Sequence, residues 1–175
     1  MENLPIPKHL ESILQPFDNS NENEVTGKIT CSCGSKKFKI KIVGDDSFFD
    51  IEKVIKVQEI LEHFYLIVYV ECIKCSKNHL IFDKDFHGWN GFICESASKH
   101  LKRPKLKDWN CPKCKNSNHS VSLTIQSEGK DDFKEEAGDE FDKDDWVEAF
   151  SWITINLSCK SCNEINEEWV SYETM

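Results

Sequence analysis

Nine cysteines in a chain of 175 residues are the side chains best able to do chemistry, and eight of them fall in close pairs. The pairs are Cys31 and Cys33 in "CSC", Cys72 and Cys75 in "CIKC", Cys111 and Cys114 in "CPKC", and Cys159 and Cys162 in "CKSC", with Cys94 alone between the second and third. Paired thiols can hold a metal as thiolates, close a disulfide or exchange electrons as a redox dithiol. No apolar run approaches the ~20 residues of a membrane span. The opening "MENLPIPKHLESILQPF" shows neither a basic leader nor a small-residue cleavage site. A cytoplasmic protein without membrane contact is therefore expected, and a reducing cytosol favours metal thiolates or redox dithiols over structural disulfides.

The elements that must position these pairs repeat in order. Residues 29–92 and 109–175 each open with a pair in a turn-like segment ("CSCGSKK", "CPKCKNSN") and continue into alternating strand sequence ("FKIKIVG", "SVSLTIQS"). A variable stretch then leads to a β-rich run that delivers the second pair ("YLIVYVEC", "SWITINLSC"), and a further strand-like segment closes each half ("HLIFDKDFHGW", "EINEEWVSYE"). Four pairs make two sites of four thiolates, one from Cys31, Cys33, Cys72 and Cys75 and one from Cys111, Cys114, Cys159 and Cys162. Zinc takes four soft ligands in a tetrahedron about 2.3 Å from sulfur, and two Cys-x-x-Cys turns complete that shell. Two Zn²⁺ ions are expected. A cross-pairing of Cys72, Cys75, Cys111 and Cys114 is the other grouping, and iron in the same ligands, dithiol chemistry and disulfides are the other uses. A thioredoxin-like site would need one pair at a helix start in a βαβ unit, whereas strand-like sequence borders every pair here.

The order of turn, strands, turn and strand over residues 29–92 and 109–175 resembles the zinc ribbon. That likeness implies small antiparallel sheets with two knuckles at one end and four thiolates on one zinc, and little about function. The pairing of "HLIFDKDFHGWNGF" with a terminal "WVSYETM" resembles cytosolic bacterial proteins with paired ribbon knuckles, a likeness that carries no activity. The expected fold is mainly β: two tandem zinc-ribbon-like antiparallel sheets related by internal duplication, with a short N-terminal helix. The units are 1–28 (helix and polar linker), 29–98 (first ribbon-like unit), 99–108 (basic linker) and 109–175 (second unit, with an acidic insertion at 128–148).

At 39% hydrophobic and 11% aromatic residues the composition is globular, and the formal charge is −9. Most of that charge sits in Glu128 to Glu148, with eleven acidic and three basic residues. The plainer reading is a solvated segment; Phe133, Phe141 and Trp146 within it sustain a reading as a contact for a basic partner. Lys99, Lys102, Arg103, Lys105 and Lys107 form a basic linker around Pro104 that complements the acidic segment or touches phosphate. Pro7 to Gln15 reads as a short amphipathic helix with Leu10, Ile13 and Leu14 on one face, and "DNSNENEVTG" as a polar linker with nothing to bury. "DIEKVIKVQEILEHF" reads as a hairpin through its β-branched residues.

Asp83, Asp85 and His87 alternate, so on a strand they share a face as a candidate second metal site or acid/base group. Asp83, Asp85 and Gly88 also mimic a calcium loop, but Cys94 stands where its last carboxylate is required. The plainer reading makes "HGWNG" a turn, with Gly88 and Gly91 in angles other residues avoid and Trp89 capping a ribbon. His9, His63, His79, His100 and His119 show no metal-binding spacing. His79 and His119 follow a knuckle closely enough to donate a hydrogen bond to its sulfur. There is no glycine-rich phosphate loop, nucleophile elbow or Cys/His pair. The chain thus reads as a non-catalytic zinc protein acting on a protein partner through strand edges, the acidic segment or the "HGWNGF" turn. Nucleic-acid binding through residues 99–107 and rubredoxin-like electron transfer are the alternatives.

Overall fold

The computed structural model describes residues 4–43, 65–94, 105–138, 140–142 and 144–175. Their strands are β1 (Leu14–Pro16), β2 (Glu24–Ile29), β3 (Phe38–Val43), β4 (Ile67–Cys72), β5 (Asn78–Asp83), β6 (Lys107–Trp109), β7 (His119–Gln126), β8 (Trp152–Cys159) and β9 (Ile165–Glu173). Helix among the described residues is confined to α1 (Gly88–Phe92), α2 (Lys130–Ala137) and a 3-10 turn at Asp145–Val147. None is long and apolar enough to cross a membrane.

Alternation drives the strands. In β7 the sequence "HSVSLTIQ" buries Val121, Leu123 and Ile125 and leaves the hydroxyls between them half-exposed, and β8 repeats the pattern with Ile153, Ile155 and Leu157. The buried sides converge on one core that includes Phe38, Ile40, Val70, Phe82 and Phe150.

The nine strands form one curled antiparallel sheet, where two separate sheets are expected from the sequence. β3–β4–β5 and β7–β8–β9 are each antiparallel runs. They merge because each borrows an edge. β2 lies along β7, with Val25 opposite Ile125 and Gly27 opposite Leu123. β6 lies along β3, with Ile40 opposite Trp109 and Ile42 opposite Lys107, and Phe38 pairs directly with His119. Without these partners the edges of β3 and β7 would expose a row of unpaired N–H and C=O groups.

β2 therefore corrects the reading of residues 18–27 as a linker with nothing to bury. Val25 is fully buried, and Asn21 Oδ1 accepts the Asn23 and Glu24 N–H groups to turn the chain into the strand. At Gly27 a Cβ would lie 2.5 Å from the Gln15 carbonyl oxygen, so only glycine lets β1 pair there. The expected N-terminal helix is instead a run of turns, held by Leu10 N–H to Pro7 and by Ile13 and Leu14 N–H to Leu10. The segment lies between Pro7 and Pro16, and so short a stretch does not repay helix nucleation. Leu10, Ile13 and Leu14 are nonetheless buried in the core.

The aromatic residues of the acidic segment face inward. Phe133, Trp146 and Ala149 are buried, and Trp89, Phe92, Ile93 and Phe141 pack around them, so α1 and the acidic segment share a small second core. Gly88 starts α1 at φ 74°, with its N–H on the Glu148 carbonyl at 3.0 Å. Of the basic linker, Lys107–Trp109 is the strand β6, while residues 99–104 lie outside the described residues, as does the hairpin reading of residues 50–64.

Candidate metal centres

Each cysteine pair sits in a turn of one pattern, tighter by one residue at Cys31–Cys33 than at the other three. The first cysteine's N–H bonds a carbonyl beyond the turn: Cys31 to Ser35, Cys72 to Lys77, Cys111 to Asn116 and Cys159 to Glu164, all at 2.8–2.9 Å. Its carbonyl accepts the N–H of the residue after the second cysteine, which is Gly34, Ser76, Lys115 or Asn163. These four residues take positive φ of 81°, 58°, 60° and 58°. Only the first is a glycine, and the sequence gives no sign that a serine, a lysine and an asparagine accept the left-handed conformation at the others. The strands between the turns then carry the pairs together: β3 and β7 leave the first turn of each group, β4 runs into Cys72 and β8 into Cys159, with Phe38 opposite Cys72 and His119 opposite Cys159.

The eight thiols stand as two groups, Cys31, Cys33, Cys72 and Cys75 and then Cys111, Cys114, Cys159 and Cys162, with all sulfurs of a group within 4.8 Å of one another. The cross-pairing of Cys72, Cys75, Cys111 and Cys114 is excluded. Sulfur separations are 3.6 Å for Cys31–Cys75, 3.5 Å for Cys33–Cys72, 3.6 Å for Cys111–Cys162 and 3.5 Å for Cys114–Cys159. A disulfide needs about 2.05 Å, whereas four sulfurs about 2.3 Å from a common centre stand about 3.8 Å apart. The spacing is that of a tetrahedral S₄ shell, and each group could hold one metal ion, with zinc the natural occupant.

No family model, curated protein or solved structure matches this chain. The zinc-ribbon likeness therefore stands on the turns and the thiols alone.

Electrostatics inside the groups point the same way. Burial opposes ionisation of Cys72, yet the N–H groups of Cys75 and Lys74 and the thiols of Cys33 and Cys75 outweigh it and bring its pKa down to about 6. Cys159 is likewise brought down to about 6, against burial, by the Cys162 and Ser161 N–H groups and the thiols of Cys114 and Cys162. Cys75 is pushed up to about 12: the Lys77 N–H favours its thiolate, but the Cys31 sulfur, burial and the Cys72 and Cys33 sulfurs prevail. Several thiolates at this spacing cannot all be negative without a cation among them.

Of the two histidines close enough in sequence to reach a knuckle sulfur, one does so and neither lies on the surface. His79 is buried, and its Nε2 lies 3.4 Å from Cys31 Sγ, within hydrogen-bond reach. His119 instead gives Nδ1–H to the Ser117 carbonyl at 3.0 Å and packs on Trp109, leaving Nε2 buried without a partner. Bonds to ligand atoms orient them and typically matter 10–100-fold in metal affinity. His79→Ala should therefore loosen one of the two ions by about 10–100-fold in a chelator competition, with part of the loss recovered by His79→Asn. A change under about twofold would reduce His79 to a packing residue.

The Asp83, Asp85 and His87 cluster is real but differently arranged. β5 ends at Asp83, so the three side chains do not alternate on a strand. They close a buried turn: the Asp85 N–H donates to Asp83 Oδ1, the Asp83 N–H to His87 Nδ1, and the His87 N–H to the Asp83 carbonyl. Asp85 also pairs with Lys84 at 2.7 Å. His9 stacks on His87 with ring centroids 3.9 Å apart and bonds the Ile81 carbonyl, a contact across the chain that spacing does not reveal. Cys94 is exposed and belongs to neither thiol group.

Burial holds the His9 pKa below its ordinary value, against the Ile81 carbonyl and the Glu148 charge. The unfolded chain takes up that proton near pH 6.5, while the folded chain does so only at lower pH. The unfolded state thus binds more protons in between, and stability falls as pH drops below about 6.5. Denaturant midpoints measured at about pH 7 and about pH 5.5 should differ less in His9→Gln than in the wild type. Equal pH slopes would remove His9 from the acid sensitivity.

Proposed function

We propose that the protein is a non-catalytic zinc scaffold, its sheet held by two Zn(Cys)₄ centres, that presents an acidic face to a basic protein partner. The observation that carries the zinc half is the pair of four-thiol groups at tetrahedral spacing. A non-catalytic role is supported by the Asp83 and His87 side chains, which accept backbone N–H groups of the turn they close, and by the Asp85 carboxylate, which pairs with Lys84. The partner reading draws on the acidic segment, whose aromatic residues anchor it to α1 while Asp131, Asp132, Glu135 and Glu136 remain exposed. Beside them a cleft of about 430 Å³ sets Glu22, Glu128, Asp131 and Asp132 around Trp146. Carboxylates around a cleft suit a lysine or arginine side chain. The tandem arrangement belongs to the same proposal: two ribbon-like halves that share one sheet.

Elemental analysis of protein purified without added metal tests the zinc half. About two zinc ions per chain should fall to one in Cys111→Ser, Cys114→Ser. Iron with visible colour, or less than one metal per chain, would overturn it. For the partner half, a lysine-rich peptide should bind in low salt and lose affinity to Asp131→Asn, Asp132→Asn.

A further inference from the structure

The strand exchange between the halves bears on how the two thiol groups fill. β2 ends at Ile29, just before Cys31, yet it lies along β7, which begins at His119 just after the Cys111–Cys114 turn. β6 ends at Trp109, just before Cys111, yet it lies along β3, which begins at Phe38 just after the Cys31–Cys33 turn. Phe38 and His119 close the crossing by pairing with each other. Each first turn is thus entered from a strand seated on the sheet that the other group anchors.

We infer that the two metal groups load cooperatively, each ion ordering the strands on which the other group's turn is mounted. This rests on the zinc reading above. Without an ion, gathering four sulfurs works against their mutual repulsion and against the backbone entropy of the strands on either side. Filling Cys31, Cys33, Cys72 and Cys75 fixes β3 and the end of β2, and these are the edges that seat β6 and β7. The second ion then meets a partly ordered site and forfeits less entropy. Linkage makes the effect mutual, so filling Cys111, Cys114, Cys159 and Cys162 favours the first group by the same factor. No thiol is shared between groups, so the coupling runs through the sheet.

Native mass spectrometry of the full chain in a zinc buffer at half-saturation reads this directly. Equal independent sites leave half the molecules with one ion, and unequal independent sites leave more than half. A tenfold coupling lowers that fraction to about one quarter, and stronger coupling lowers it further. A Lys107→Pro, Asp108→Pro variant, which breaks the β6 pairing and keeps every thiol, should bring the fraction back towards half while still taking two ions at saturation. A singly loaded fraction that is the same in the wild type and in the Lys107→Pro, Asp108→Pro variant overturns the coupling and leaves the zinc reading intact. Fewer than two ions at saturation overturns the zinc reading and the coupling with it.

Discussion

Stripping zinc from the folded protein should melt its sheet. A structural zinc in a small domain is worth about 10–16 kcal/mol at neutral pH, while a whole domain is stable by only about 5–15 kcal/mol. Losing both ions therefore removes more free energy than folding supplies. The four turns in question are the points where β3, β4, β7 and β8 start or end, so the damage reaches the centre of the sheet. Addition of a strong chelator should abolish the cooperative thermal transition and the far-ultraviolet strand signal. Zinc should restore both; magnesium, which prefers oxygen ligands, should not. An unchanged transition in chelator would show that the apolar core suffices alone.

The second large effect is expected at Phe38. Its ring is fully buried, its backbone pairs with Cys72 on one side and His119 on the other, and its edge meets His79 at 6.5 Å. Phe38→Ala should cost about 3–5 kcal/mol through lost burial and the cavity left behind. In a chain of this size that corresponds to a fall in Tm of roughly 6–20 °C. Zinc content should stay at two ions, because no ligand is touched. Phe38→Leu should recover most of the loss. A Tm within about 2 °C of wild type for the alanine variant would mean that the surrounding strands close the space.

The metal groups were legible because a Cys-x-x-Cys turn is local: spacing alone places two sulfurs on one side of an ion, and the order of parts pairs the turns. The strand character of "SVSLTIQS" and "SWITINLSC" was legible for a similar reason, since alternation is read within a few residues. What spacing could not supply was which edges meet. The pairing of Val25 with Ile125, or of Ile40 with Trp109, joins distant residues through backbone groups that every sequence carries. Two sheets were therefore expected where the chain makes one. The N-terminal turns show tertiary burial of Leu10 and Ile13 prevailing over local helix periodicity. Phe133 and Trp146 stand out among the acids as support for a partner contact, but they are buried inside the chain, in a core with Trp89 and Phe92 from a stretch read as a turn.

The placement of the tryptophans makes the protein an uneven optical reporter of its own state. Trp109 stands two positions before Cys111, in ring contact with His119 at 5.0 Å and with Trp169 at 5.2 Å. The first thiol group has Phe38 and His79 beside it instead. Trp89 and Trp146 sit in the separate core under the acidic segment. Indole light thus comes from beside the second centre and from the small core, and because Trp109 lies opposite Ile40 on β3 it also registers the strand that leads from the first centre.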